Sequence, residues 1–270
     1  MRFLAHATEA IKAVMGDRGS LLFVPFASSD PDTYTGVMRQ ALAPAGIEVT
    51  GVHQARDLTA AVADAQAVFV GGGNSFRLLR ALTTLGVLEP LRQAVRAGVP
   101  YLAASAGANL ACPTIRTTND MPIVEPGSLA ALGLIPFQLN PHYLDPDPRS
   151  PHQGETRPQR IAEFLEENDV PVLGLREGAW LQVSGTQAHL SGRNTGRLFR
   201  RHTDPIDIPV GADLSDLLNT RPRFDIGTTA WAGSRRCPGR RCGPSLAGPG
   251  LVRQRSADPC STRHLVRDSL

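Results

Sequence analysis

Residues 100–112, PYLAASAGANLAC, decide the fold. A short apolar run leads into Ser105, and the small residues Ala106, Gly107 and Ala108 then open a helix. A strand that feeds a helix through a turn too crowded for large side chains is the repeating unit of a parallel α/β sheet. Toward the N-terminus, 21–27 (LLFVPFA), 48–53, 67–70 (AVFV) and 101–104 read as strands, while 34–43, 58–65, 76–82 and 88–97 carry apolar residues at helical spacing. AVFV shows no polar alternation, as expected of a strand covered on both faces. Toward the C-terminus, a Pro-rich polar stretch, CPTIRTTNDMPIVEPGS, precedes 137–140, a helix near 158–167 and a strand at 172–175. The runs 180–183 and 188–190, around Ser184 and Gly185, read as a hairpin, and 197–200 follows. The expected fold is α/β: a doubly wound, mostly parallel sheet with helices on both faces and a small β-hairpin near its C-terminal end.

The chain has 270 residues, 41% hydrophobic and 20% charged, with a formal net charge of +3. These values exclude pervasive disorder, collagen and coiled coil. Charge is unevenly placed: residues 221–270 hold ten Arg against three acids, and the body before them is net negative. The overall balance therefore reflects the tail, and it does not point to a nucleic-acid partner. Residues 216–270, rich in Arg, Gly and Pro, are expected to be disordered or loosely packed. The tail thiols Cys237, Cys242 and Cys260, with His264, do not follow ordinary zinc-ligand spacing. No apolar run approaches the roughly 18 residues of a membrane helix, and Glu9 and Lys12 interrupt any N-terminal signal-like stretch. A cytoplasmic location is expected.

Ser105 at a strand-to-helix turn presents its hydroxyl beside the N–H groups of a helix start, the arrangement that serves a nucleophile and an oxyanion. Ala103 stands at the first glycine position of the usual G-x-S-x-G pattern. A second signal is VGGGNSF, where Gly71, Gly72 and Gly73 follow a strand and allow close backbone approach to a ligand. Phe76 occupies the third position of a dinucleotide fingerprint, so Gly73 is read instead as an oxyanion donor opposite Ala106. His142 ends a strand on the carboxyl edge and is the candidate base, better placed than the six other histidines. Asp120 and Glu177 are the candidate orienting acids, and sequence order does not choose between them.

The stretch SAGANLACPTIRTTNDMPIVEP, with VGGGNSFRLL before it and NPHYLD and GETRPQRI after it, closely resembles the peptidase E family. That resemblance covers about residues 1–215 and implies a serine peptidase on a class I glutamine amidotransferase-like fold. It implies hydrolysis of dipeptides with an N-terminal aspartate, with no metal and no cofactor. Ser105 is then the nucleophile and His142 the base, with Asp120 or Glu177 as third member. Asp120 is the traditional assignment, whereas a strand-end acid such as Glu177 is the more rigid orienter. Asn74, Arg116 and Arg157 are the candidates for holding the substrate carboxylate. The implied partners are small peptides, neither nucleic acid nor membrane, with a homodimer as the candidate assembly.

The chain departs from the family in three respects. Members carry a first strand ahead of the region matching 3–15, so an open sheet edge is expected here. Ala103-Ala104 replaces Gly-Trp before the serine, which reshapes the pocket. The basic tail has no family counterpart. Three rivals remain: a cyanophycinase-like relative cutting β-linked aspartyl peptides, a glutaminase for which Cys112 is misplaced, and an inactive binding relative.

Overall fold

The computed structural model describes residues 4, 7–147, 149 and 154–227, together with the backbone of 263–267. The helices are α1 (Thr8–Met15), α2 (Pro31–Leu42), α3 (Leu58–Ala63), α4 (Ser75–Thr84), α5 (Leu88–Arg96), α6 (Ala106–Ala111) and α7 (Arg157–Glu167). The first strands are β1 (Ser20–Val24), β2 (Glu48–Gly51), β3 (Val68–Val70) and β4 (Tyr101–Ala104); next come β5 (Gln138–Asn140), β6 (Val172–Leu175), β7 (Ala179–Ser184) and β8 (Gln187–Gly192). Then follow β9 (Gly196–Phe199), β10 (Ile206–Ile208) and β11 (Arg263–Arg267).

A seven-stranded sheet runs β2-β1-β3-β4-β11-β7-β8. Its first four strands are parallel, and β7 and β8 form the expected antiparallel hairpin. Alternate residues of each parallel strand enter different cores. Leu21, Phe23, Phe69, Leu102 and Ala104 pack with α1 and α2 residues such as Ile11, Met15, Met38 and Leu42. Leu22, Val24, Val68, Val70, Tyr101 and Ala103 pack with Val62, Leu78, Leu91 and Leu110 from the opposite helices. This double burial explains the absence of polar alternation, since neither face of the strands meets water.

One departure from the sequence reading matters for the site. Strands β5 and β6, which read as a continuation of the parallel series, belong to a second, four-stranded sheet of order β10-β9-β6-β5. β5 and β6 pair in parallel, while β9 pairs antiparallel to β6 and to β10. β6 carries the same continuous apolar signal as the main-sheet strands because it is equally buried, whereas fully buried β5 keeps two polar residues, Gln138 and Asn140. Helix α1, a second helical covering, was not distinguished from its surroundings in the sequence.

Residues 216–227, assigned to the tail, continue to pack on the body. Leu217 is buried, and Asp225 and Arg223 bond to Arg116 and Asp169. Five further tail residues form β11 inside the main sheet. The tail cysteines lie outside the described residues. Among the described residues no helix is long and apolar enough to cross a membrane.

Candidate active site

Ser105 sits between β4 and α6 with φ +50° and ψ −110°, a conformation that a non-glycine residue holds only when its surroundings enforce it. The enforcement is visible on the helix side. Gly107 lies so close to β3 that an added Cβ would stand 2.4 Å from the Val70 carbonyl oxygen, and the Tyr101 hydroxyl donates to the Gly107 carbonyl at 2.8 Å. Only a glycine lets α6 start this near the sheet, which is why the small-residue run follows the serine. Ser105 is 9% exposed.

His142 follows β5, and Glu177 follows β6. The parallel register pairs Asn140 with Gly174, so the residues just beyond each strand emerge side by side. His142 Nε2 lies 2.9 Å from Ser105 Oγ, and His142 Nδ1 lies 2.5 Å from Glu177 Oε1. The three groups form one chain of hydrogen bonds, with the nucleophile carried by one sheet and the other two groups by the second. His142 has φ +55°, and the Tyr143 N–H donates to Leu175 O at 2.9 Å, fixing the turn that carries the imidazole.

Asp120 is engaged elsewhere. Its Oδ2 accepts from Ser75 N at 2.7 Å and from Thr118 Oγ1 at 2.9 Å, so it places a negative charge at the N-terminus of α4, where unpaired N–H groups favour it. The hydrogen bond to the imidazole thus goes to Glu177, the acid at the end of a strand.

Gly73 has φ +128°, and a Cβ there would stand 2.5 Å from the Ala27 carbonyl oxygen. Ala106 is the first residue of α6, so its N–H has no intrahelical acceptor. A cavity of about 460 Å³ opens beside this turn, lined by residues including Ala27, Tyr34, Gly73, Asn74 and Arg77.

Asn74 and Arg116 are committed to the fold. Asn74 Oδ1 accepts from Arg77 N and its Nδ2 donates to Met121 O at 2.8 Å, so the side chain caps α4 and anchors the loop beyond Asp120. Arg116 grips both Asp225 carboxylate oxygens, at 2.7 and 3.0 Å, and lies over the Phe224 ring. Arg157, at the start of α7, makes no ion pair among the described residues. Burial, joined by the neighbouring Arg160, lowers its affinity for the proton, while the Asp120 charge opposes that shift. The guanidinium is partly buried and lies within the electrostatic reach of Asp120.

Residues that the sequence reading did not single out hold the base in place. Asn140 Nδ2 donates to Thr117 O and Asn119 Oδ1, and Asn119 Nδ2 donates to Pro141 O, the residue before His142. Arg176 binds both oxygens of Asp145, together with Asp207 and Thr195, and lies against Tyr143. It fixes the backbone on either side of the His142–Glu177 pair. The signal for the first group was present: Gln138 and Asn140 are buried polar residues in an otherwise apolar strand. Cys112 is completely buried, and burial pushes its thiol up to about 12. Its Sγ accepts from Leu139 N at 3.1 Å, tying α6 to the second sheet, and at neutral pH it stays a thiol without nucleophilic character.

The family model described as peptidase family S51 matches residues 2–191. The chain belongs to this family. Peptidase E of Streptomyces coelicolor is 59% identical over 226 residues, covering 84% of this chain and 93% of that protein. A probable alpha-aspartyl dipeptidase of Drosophila melanogaster is 48% identical over 219 residues, covering 80% of this chain and 91% of that one. Among solved structures, a peptidase from an acI-B1 Actinobacterium matches with a TM-score of 0.57 at 14% identity, over 78% of this chain and 91% of its own. A putative peptidase E from Listeria monocytogenes matches with a TM-score of 0.52 at 19% identity, over 78% and 96%. At those identities the two structures speak for the fold, and the S51 assignment rests on the family model and the sequence relatives.

Proposed function

We propose that this chain is a serine dipeptidase that removes an N-terminal aspartate from Asp-Xaa dipeptides through an acyl-enzyme. The observation that carries the reading is the hydrogen-bonded line Ser105–His142–Glu177 at a strained strand-to-helix turn. The names of the S51 relatives supply the substrate class.

In this mechanism Ser105 Oγ attacks the carbonyl carbon of the aspartyl residue while its proton passes to His142 Nε2. Glu177 holds the Nδ1–H and stabilises the imidazolium that forms. The N–H groups of Gly73 and Ala106 receive the developing oxyanion. Collapse of the intermediate breaks the C–N bond, and the leaving amine takes the proton from His142. Water, deprotonated by the same imidazole, then releases aspartate and restores Ser105. Of the three substrate candidates, Arg157 is the guanidinium left to meet the aspartyl carboxylate, because Asn74 and Arg116 are already engaged. On this reading the enzyme is cytoplasmic, with small peptides as partners and a homodimer as its assembly.

The test is release of aspartate from Asp-Leu, compared with Glu-Leu, Ala-Leu and β-linked Asp-Leu, by the intact chain and by Ser105→Ala. The expected result is cleavage of α-linked Asp-Leu alone, abolished in the variant. Turnover of the β-linked peptide would replace the reading with a cyanophycinase-like one, and turnover of none would leave an inactive relative.

A further inference from the structure

We propose that the C-terminal segment 263–267 is a working part of the catalytic sheet, and that the slot between β4 and β7 is a strand-binding site built to receive it. β11 pairs in parallel with the nucleophile strand, with His264, Leu265, Val266 and Arg267 opposite Tyr101, Leu102, Ala103 and Ala104. It pairs antiparallel with β7 along its whole length, from Arg263 opposite Ser184 to Arg267 opposite Trp180. The last pairing on the β4 side is therefore one residue from Ser105. The segment lies outside residues 2–191 that match the S51 model.

Two physical arguments make the segment functional. Without β11, the facing edges of β4 and β7 would present unpaired N–H and C=O groups in the middle of a sheet, and β4 is buried at every residue; such groups are costly away from water. The positive φ of Ser105 must also be held by its surroundings, and β4 is clamped on one side by β3 and on the other by β11. Loss of β11 removes one of these clamps at the nucleophile.

The slot recognises a strand chiefly through backbone hydrogen bonds, the mode by which extended peptides add to sheet edges. The link to the body, residues 228–262, is long, and closure entropy grows only slowly with loop length. Attachment therefore still raises the local concentration of the strand, while the backbone hydrogen bonds that seat it are open to a separate peptide of the same sequence supplied in excess.

Three measurements test this. Hydrogen–deuterium exchange on the full chain should show the amides of 264–267 protected together with those of β4, and exchange at free-peptide rates there overturns the proposal. A chain ending at residue 227 should lose at least tenfold in Asp-Leu turnover and melt at a lower temperature. A synthetic peptide of residues 261–270 should restore both, saturably, while the same peptide carrying Leu265→Pro should not. Unchanged melting and turnover after truncation refute the idea, as does a folded, truncated chain that the peptide fails to stabilise. Should the truncated chain not fold, full-length Leu265→Pro decides: it must melt lower than the parent and exchange freely at 264–267, and parental melting refutes the proposal.

Discussion

Exchanging the two candidate acids separately distinguishes their roles. Glu177→Gln keeps the size of the side chain that meets His142 Nδ1 and removes only its charge. In the transition state His142 carries a positive charge, and the carboxylate 2.5 Å away is its hydrogen-bonding partner. Opposite unit charges about 4 Å apart attract by about 1 kcal/mol in water and about 4 kcal/mol at the effective dielectric of a protein surface. The imidazole side chain is 33% exposed and the carboxylate 55%, so the loss falls between these limits, at about 2–3 kcal/mol. At about 1.4 kcal/mol per factor of ten, kcat for Asp-Leu should fall roughly 30- to 150-fold with little change in KM. Asp120→Asn removes a charge from the N-terminus of α4, and should cost about 0.5–1 kcal/mol of stability while leaving kcat within a few-fold. The assay is steady-state aspartate release alongside thermal melting of both variants. A larger kcat loss in Asp120→Asn than in Glu177→Gln, at parental melting temperature, would refute the assignment.

Other outcomes follow from the same geometry. Gly107→Ala drives a Cβ toward the Val70 carbonyl, and calorimetry should show a cost of about 1–3 kcal/mol together with reduced turnover. Arg157→Ala should raise KM for Asp-Leu at least tenfold, whereas Arg116→Ala, which breaks the clasp on Asp225, should lower the melting temperature and leave KM within twofold. Arg176 hydrogen-bonds Asp145 and holds its carboxyl below the usual range. That contribution is therefore fully present above the ordinary carboxylate pKa of about 3.9 and is lost as pH falls through the lowered value. The stability gap between the parent and Arg176→Met, followed by denaturant melts across pH, should be constant above about pH 4 and close below it. A gap that widens on acidification contradicts the pairing.

What could be read from the chain alone was whatever depends on local periodicity and crowding. The alternation of β1, β3 and β4 with their helices follows from apolar runs and helical spacing, and the Ser105 turn announces itself through Ala106 and Gly107. His142 could be placed at the end of β5 because strand ends are visible. Whether Asp120 or Glu177 reaches His142 could not be read, since it depends on the parallel register of β5 with β6 and on Ser75 taking the Asp120 carboxylate. The assignment of β5 and β6 to a second sheet was equally hidden, because the continuous apolar signal of β6 is the same whichever sheet a strand joins. Arg116 looked as free as Arg157, and only the fold brings Asp225 back across more than one hundred residues to engage it. β11 gave no signal because five residues in an Arg-rich tail carry no periodicity of their own.

The division of the site between two sheets separates two properties that most catalytic sites vary together. The imidazole and its carboxylate ride on adjacent strands of one frame, so the acid–base relay is preserved as a unit when that frame shifts. The nucleophile and its glycine turn ride on the other. The seam bonds of Cys112, Thr117 and Asn119 therefore set the one link of the Ser105–His142–Glu177 line that crosses between the sheets, Ser105 Oγ to His142 Nε2, so substitutions there act first on proton transfer from the serine while the His142–Glu177 pair stays together.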